Sequence, residues 1–214
     1  MIRVLIVDDQ RLVRAGLRML CESTDDLEVV GEAADGAEAI RAAVALTPDV
    51  VLMDLRMPGL DGVAATEQIT RRPDAPRVLV LTTFDDDEHL YPALAAGAAG
   101  FLVKDTDPTE LLAAIRRVAD GDLPFTPDLL RRVVGRAVDG ASDPPSPPPV
   151  ALTDREAQVL ALVGDGLTNP EIAERLHLGV STVKSHIGNL MDKTDCDNRA
   201  RLAVYAYRRS QSGQ

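Results

Sequence analysis

The stretch Val50 to Gly62, VVLMDLRMPGLDG, decides how this chain reads. Val50 to Met53 is a short apolar run of the kind that forms a buried strand, and it ends at the carboxylate of Asp54. Pro58, Gly59 and Gly62 follow at once and break regular structure. An acidic side chain therefore stands at the exit of a strand, and in open α/β sheets ligands bind just outside the carboxyl ends of the strands. A lone Asp there serves equally as a turn former or a helix cap. What surrounds it decides.

Working outward, residues 1–120 alternate short apolar strands with longer amphipathic helices. The strands read as Arg3 to Val7, Leu27 to Ala33, Val50 to Met53, Arg77 to Leu81 and Gly100 to Val103. The helices read as Leu12 to Ser23, Ala37 to Leu46, Gly62 to Arg71, Asp86 to Ala96 and Pro108 to Asp120, the last with Asp107 as cap and Pro108 in its first turn. Pro92 falls well inside the fourth helix and predicts a short or irregular one. Five such units imply an α/β fold with a doubly wound parallel sheet. In a flavodoxin-like strand order, 2-1-3-4-5, the switch point lies between the first and third strands. Asp8 and Asp9 follow the first, and Asp54 follows the third. Singly, Asp8 and Asp9 also read as helix caps. Three carboxylates in one pocket repel unless a cation neutralises them, and a hard divalent ion, Mg²⁺ first, suits an oxygen donor set that leaves room for a phosphoryl oxygen. Thr82 follows the fourth strand. Lys104, one of only three lysines, closes GFLVK after the fifth. A hydroxyl and an ammonium beside a metal-bound carboxylate are what a phosphoryl group on that carboxylate needs.

The 214 residues carry a net charge of −11, with 45% hydrophobic and 3% aromatic content, which suits a helix-rich protein with an aliphatic core. No apolar run has the length of a membrane span, and MIRVLIVDDQ turns acidic too early for a signal peptide, so a cytoplasmic protein is expected. Cys21 and Cys196 read as free thiols. The acidity is uneven. Residues 1–120 are net −10, whereas residues 151–214 hold 8 basic and 8 acidic groups and are neutral, although nucleic-acid-binding domains are usually basic.

Residues 121–150 form a connector. Pro127 to Val138 predicts one helix with Thr126 as cap, and DPPSPPP after it propagates neither helix nor central strand, so it reads as a semi-rigid linker. Residues 151–214 are helical by pattern. Thr153 and Glu156 make a capping box, Asn169 reads as a cap before Pro170 and Glu171, and a tight His-Leu-Gly turn leads to a helix with apolar Val183, Ile187, Leu190 and Met191. Its other face carries Lys184, Ser185 and Gly188. A last helix is expected from Asn198 to Arg208. Two short helices across a tight turn describe a helix-turn-helix.

Asp8 and Asp9, MDLRMPGLDG around Asp54, Thr82, Phe101 and Lys104 together make residues 1–120 resemble a response-regulator receiver domain. The string LTDREAQVLALVGDGLTNPEIAERLHLGVSTVKSHIGNLMDKT resembles the output domain of the LuxR/NarL/FixJ class. The resemblance implies a two-component transcription regulator, not a turnover enzyme. Asp54 would take a phosphoryl group from a phosphohistidine of a partner histidine kinase. Asp9, Asp54 and the backbone carbonyl of Arg56 would bind Mg²⁺, with Asp8 in support, and Thr82 and Phe101 would form the switch pair. On the output side it implies Lys184, Ser185 and Gly188 toward the major groove of double-stranded DNA, and Thr182, Asn169 and Lys193 toward phosphates. Lys184 suits guanine or phosphate equally. A homodimer on activation, with no membrane partner, completes the expectation.

Some residues depart from the pattern. Gly179 replaces a Ser cap, Gly188 a larger polar group, and Thr194-Asp195 a Leu-Gly; with the neutral charge these predict modest affinity as a monomer. Arg56 and Phe84, each two residues past a site residue, are bulky enough to shield an acyl phosphate and predict a long-lived phospho-state. Two rivals stand against the regulator. Haloacid-dehalogenase-type phosphatases also use Asp and Mg²⁺, but carry a second acid where this chain has Arg56. A protein-binding adaptor would have a helix-turn-helix that touches no DNA.

Overall fold

Ile2–Val7 (β1), Leu27–Ala33 (β2), Val50–Asp54 (β3), Arg77–Thr82 (β4) and Gly100–Val103 (β5) pair in parallel as one sheet, in the order β2-β1-β3-β4-β5. This is the expected 2-1-3-4-5 order. The computed structural model describes residues 1–72, 74–82, 87–122, 150–196 and 198–212, and the chain divides into two units, Met1–Pro124 and Phe125–Gln214. The helix expected over 127–138, the DPPSPPP linker and Phe84 lie outside the described residues.

In the first unit the helices are Arg11–Glu22 (α1), Gly36–Leu46 (α2), Gly62–Thr70 (α3), Asp87–Ala95 (α4) and Pro108–Ala119 (α5). One face of the sheet, with Val4, Ile6, Val50, Leu52, Leu79 and Leu81, buries its side chains against α1 and α5. The alternate residues Leu5, Val51, Met53, Val78 and Val80 are buried too and turn to the other face. With both faces covered the strands are apolar almost throughout, as parallel sheets require. Asp107 caps α5 by accepting from the Thr109 N–H at 2.8 Å, with Pro108 in the first turn. Pro92 lies inside α4, which at nine residues is as long as α3.

Gly62 is fixed by a close approach. A Cβ there would stand 2.0 Å from the carbonyl oxygen of Asp54, so only glycine lets the start of α3 sit on the end of β3. The Gly62 N–H donates to the Leu55 carbonyl at 3.0 Å, closing the loop that follows Asp54.

The second unit consists, among the described residues, of Asp154–Gly164 (α6), Asn169–Leu176 (α7), Val180–Thr194 (α8) and Arg199–Ser212 (α9). Val159, Leu160, Val163, Ile172, Val183, Ile187, Leu190, Leu202 and Ala206 form its buried interior. The capping box of Thr153 and Glu156 is present. The cap expected at Asn169 is corrected: Thr168 caps α7, in a second capping box with Glu171, and Pro170 lies one position further in. His177 closes α7 in the left-handed conformation, and Leu178 and Gly179 lead into α8. Gly179 supplies no side-chain cap, as expected. Asp195 nevertheless takes the left-handed turn at the end of α8, with φ 55°, where a glycine would be at ease. Asn198 caps α9 by accepting from the Arg201 N–H at 2.9 Å, and the helix runs four residues past its expected end.

Candidate phosphoacceptor site and nucleic-acid face

β1 and β3 are neighbours, so their carboxyl ends deliver Asp8, Asp9 and Asp54 to one place. One carboxylate oxygen from each lies within 4.8 Å of the others. Asp8 is 1% exposed and Asp54 4% exposed, while Asp9 is open to solvent. β5, two strands away, brings Lys104 across. Its Nζ donates to Asp8 Oδ2 at 2.7 Å and lies 3.0 Å from Asp54 Oδ2. The Gln10 N–H donates to Asp8 Oδ1 at 2.8 Å, and the Arg56 N–H reaches Asp54 Oδ1 at 3.4 Å. Asp8 is thus committed on both oxygens, and Asp54 is the less firmly held acid.

Burial pushes the Asp54 carboxyl above its usual range, and the nearby Lys104 only partly offsets this. For Lys104 burial works downward, but hydrogen bonds to Asp8 and Asp54 outweigh it and leave the ammonium raised. Three carboxylates face one ammonium, so negative charge is in excess. Hard oxygen donors at this spacing fit a hard divalent cation. Thr82 is buried at the end of β4, and its carbonyl accepts from the Lys104 N–H at 2.7 Å. Phe101, on β5 beside Val80, is 1% exposed, so its ring is already turned inward. Arg56 has an exposed side chain.

One neighbour of the site escaped the sequence reading. Arg14 on α1 donates from Nη1 to the carbonyl oxygens of Asp8 at 2.8 Å and Asp9 at 3.3 Å, and its Nε is 3.1 Å from Glu32 Oε2. The signal was Gly31, a glycine inside a strand pattern, which marks a bulge.

In the second unit α8 exposes Ser181, Thr182, Lys184, Ser185 and Asn189, with Gly188 between them and open space around it. Two of the expected phosphate contacts have partners inside the domain. Asn169 is 2% exposed and its side-chain oxygen accepts from Arg199 Nη1, inside the domain. Lys193 is held by the buried Glu156, at 2.7 and 2.8 Å to its two oxygens. That ammonium, with the Thr153 N–H, pulls the Glu156 carboxyl down to about 2. Helical periodicity placed both residues on a plausible face, but it carries no information about a partner far away in sequence.

An acidic pocket at the switch point of a parallel sheet, followed by a helix-turn-helix, defines a signal-receiving regulator, and the comparisons agree. Residues 4–116 match the family model for the response regulator receiver domain, and residues 150–206 that for bacterial regulatory proteins of the luxR family. The chain belongs to the response regulators that carry a LuxR-family DNA-binding domain. It is 44% identical over 210 residues to the transcriptional regulatory protein LiaR of Bacillus subtilis, covering 97% of this chain and 98% of LiaR. Against the response regulator protein VraR of Staphylococcus aureus it is 38% identical over 206 residues, 96% of each chain. Among solved structures it is similar to the response regulator ChrA of a heme-sensing two-component system, with 35% identity, TM-score 0.54 and 98% of both chains covered. It is also similar to a chain in a structure of two RcsB dimers bound to two parallel DNAs, with 28% identity, TM-score 0.55 and 97% and 98% covered. The adaptor reading gives way to the DNA-binding family. Among the described residues no helix is long and apolar enough to cross a membrane.

Proposed function

We propose that Asp54 is the phosphoacceptor of a two-component pathway and that its phosphorylation promotes dimerisation and promoter binding by α8. One observation carries this reading: Lys104 bridges two buried carboxylates, Asp8 and Asp54, at the carboxyl edge of the sheet, beside an exposed third acid. The phosphoryl donor is a phosphohistidine of a partner histidine kinase. An oxygen of Asp54 attacks phosphorus, the P–N bond breaks, and the imidazole keeps the electron pair and takes a proton from solvent. Asp9, Asp54 and the carbonyl of Arg56 would hold Mg²⁺, with Asp8 in support. Mg²⁺ there supplies positive charge that shields the carboxylates from the incoming phosphoryl oxygens.

Lys104 then exchanges its bond to Asp54 for one to a phosphoryl oxygen, keeping Asp8 as its anchor. Thr82 offers its hydroxyl from the adjacent strand end, and Phe101 packs behind it. A group of about −1.5 to −2 charge is held this way only if the nearby loops close, which biases existing conformers. The acyl phosphate is hydrolysed slowly, so the protein stores a signal and is not a turnover enzyme. The exposed Arg56 side chain guards the bond, and Arg56→Ala shortens the phospho-state's half-life.

Residues 1–120 act as the receiver, 121–150 as the connector and 151–214 as the output domain. On α8, Lys184, Ser185 and Gly188 face the major groove and Thr182 a phosphate, whereas Asn169 and Lys193 serve the scaffold. Kinase and chromosomal DNA as partners place the protein in the cytoplasm. Genome-wide DNA capture with wild type and Asp54→Asn tests the whole reading: wild type occupies promoters and the variant loses most of them. Equal occupancy would remove the switch, and no occupancy by either would remove the regulator.

A further inference from the structure

β2 has one residue more than its pairing with β1 needs. Val4 pairs with Val29, but Leu5 pairs with Gly31, so Val30 is the extra residue. Val4 and Ile6 lie on the face covered by α1 and α5, and their partners Val29 and Glu32 therefore share that face. Strict alternation from Val29 would have put Gly31 there and turned Glu32 away. A bulge re-aims the side chains beyond it, and this one delivers a carboxylate beneath α1.

Two arginines one turn apart on α1 meet that carboxylate. Arg18 Nε lies 2.6 Å from Glu32 Oε1, and Arg14 Nε 3.1 Å from Glu32 Oε2. Beyond Glu32, Arg18 turns to Glu22 at 2.9 Å, whereas Arg14 reaches the carbonyl oxygens of Asp8 and Asp9. Its side chain is 15% exposed, so the contact is sheltered from water. The planar guanidinium holds Glu32 on one edge and both carbonyls on another, which a lysine cannot do.

We propose that Arg14, oriented by Glu32, is a positioning residue for the divalent-cation site: it fixes the backbone that presents the carboxylate of Asp9. The inference rests on the metal-dependent reading above. It assigns the work to a residue that touches neither cation nor phosphoryl group, on an element outside the loops that carry the acids.

The test is Mg²⁺ titration of the full chain by calorimetry, paired with the rate of phosphorylation by acetyl phosphate as Mg²⁺ is raised. Arg14→Ala raises the Mg²⁺ Kd about tenfold, Arg14→Lys and Glu32→Gln raise it several-fold, and all keep the rate at saturating Mg²⁺ within about twofold of wild type. Arg18→Ala, which loses a Glu32 contact but none to the acidic loop, leaves the Kd near wild type. An unchanged Kd in Arg14→Ala, a fall in saturating rate at constant Kd, or an Arg18→Ala effect as large as that of Arg14→Ala overturns the proposal. If Arg14→Ala does not fold, Arg14→Lys and Glu32→Gln decide by the same criteria. A wild-type chain that binds no Mg²⁺ overturns the metal reading as well, whereas wild-type binding with unaffected variants overturns this inference alone.

Discussion

The two units of this chain use buried charge in opposite ways. In the receiver, Asp8, Asp54 and Lys104 converge at the edge of the sheet and stay out of balance, with acids in excess and the Asp54 carboxyl raised by its burial. In the helical unit, Glu156 with Lys193 and Arg199 with Asn169 tie helix to helix, and the Glu156 carboxyl is held down at about 2. The residues that face outward on α8 are mostly small and uncharged. Imbalance marks a place built for a ligand, and balance marks scaffold. Burial of charge alone distinguishes neither.

The largest test of that contrast neutralises one acid in each unit. Asp54→Asn abolishes phosphoryl incorporation from acetyl phosphate and, without divalent cation, raises the melting temperature of the receiver, because it removes a charge that burial disfavours. Glu156→Gln lowers the protection of α6 and α8 in hydrogen exchange. The pH dependences run in opposite directions. Glu156 is held below its ordinary value of 4.5, so its contribution is complete above that value and is lost as pH falls toward about 2. Asp54 lies above its ordinary value of 3.8, so receiver stability declines as pH rises from there through its raised value. Glu156→Gln flattens the first dependence and Asp54→Asn the second. A melting temperature that falls in Asp54→Asn would break the comparison.

Next in size is the buried Arg199. Asn169→Ala removes one side-chain acceptor of the guanidinium and leaves its bond to the Leu167 carbonyl at 2.7 Å. Hydrogen bonds to charged groups suggest a cost of about 2 kcal/mol, read as weaker exchange protection in α7 and α9. No loss of protection would mean that the Asn169 side chain does not hold this scaffold, which would favour the phosphate role its sequence position suggests.

Asn169 also shows where sequence reading stops. The receiver was legible almost entirely, because each of Asp8, Asp9, Asp54, Thr82 and Lys104 follows or ends an apolar run, and topology alone brings strand ends together. The string TNPE held a readable correction, since Thr168 and Glu171 fit a capping box and exclude Asn169 from the cap. Lys193 and Glu156 are 37 residues apart, with no local pattern joining them. Arg14 lay between these cases. Gly31 hinted at a bulge, but only the register says which side chain the bulge moves.

The smallest effect separates the two remaining lysines. A lysine that neutralises a phosphate releases a counterion, so each such contact adds about 0.9 to the slope of log affinity against log salt. Lys184 is exposed on α8, and Lys184→Met is expected to reduce the slope by about that amount if it meets a phosphate. If it meets guanine instead, preference among sequences falls more than the slope does. Lys193 already faces Glu156 across 2.7 Å, so Lys193→Met leaves the slope unchanged and weakens the helical unit, as Glu156→Gln does. A slope that falls equally in both variants would mean that Lys193 leaves Glu156 for the DNA, making that pair a contact released on binding and not scaffold.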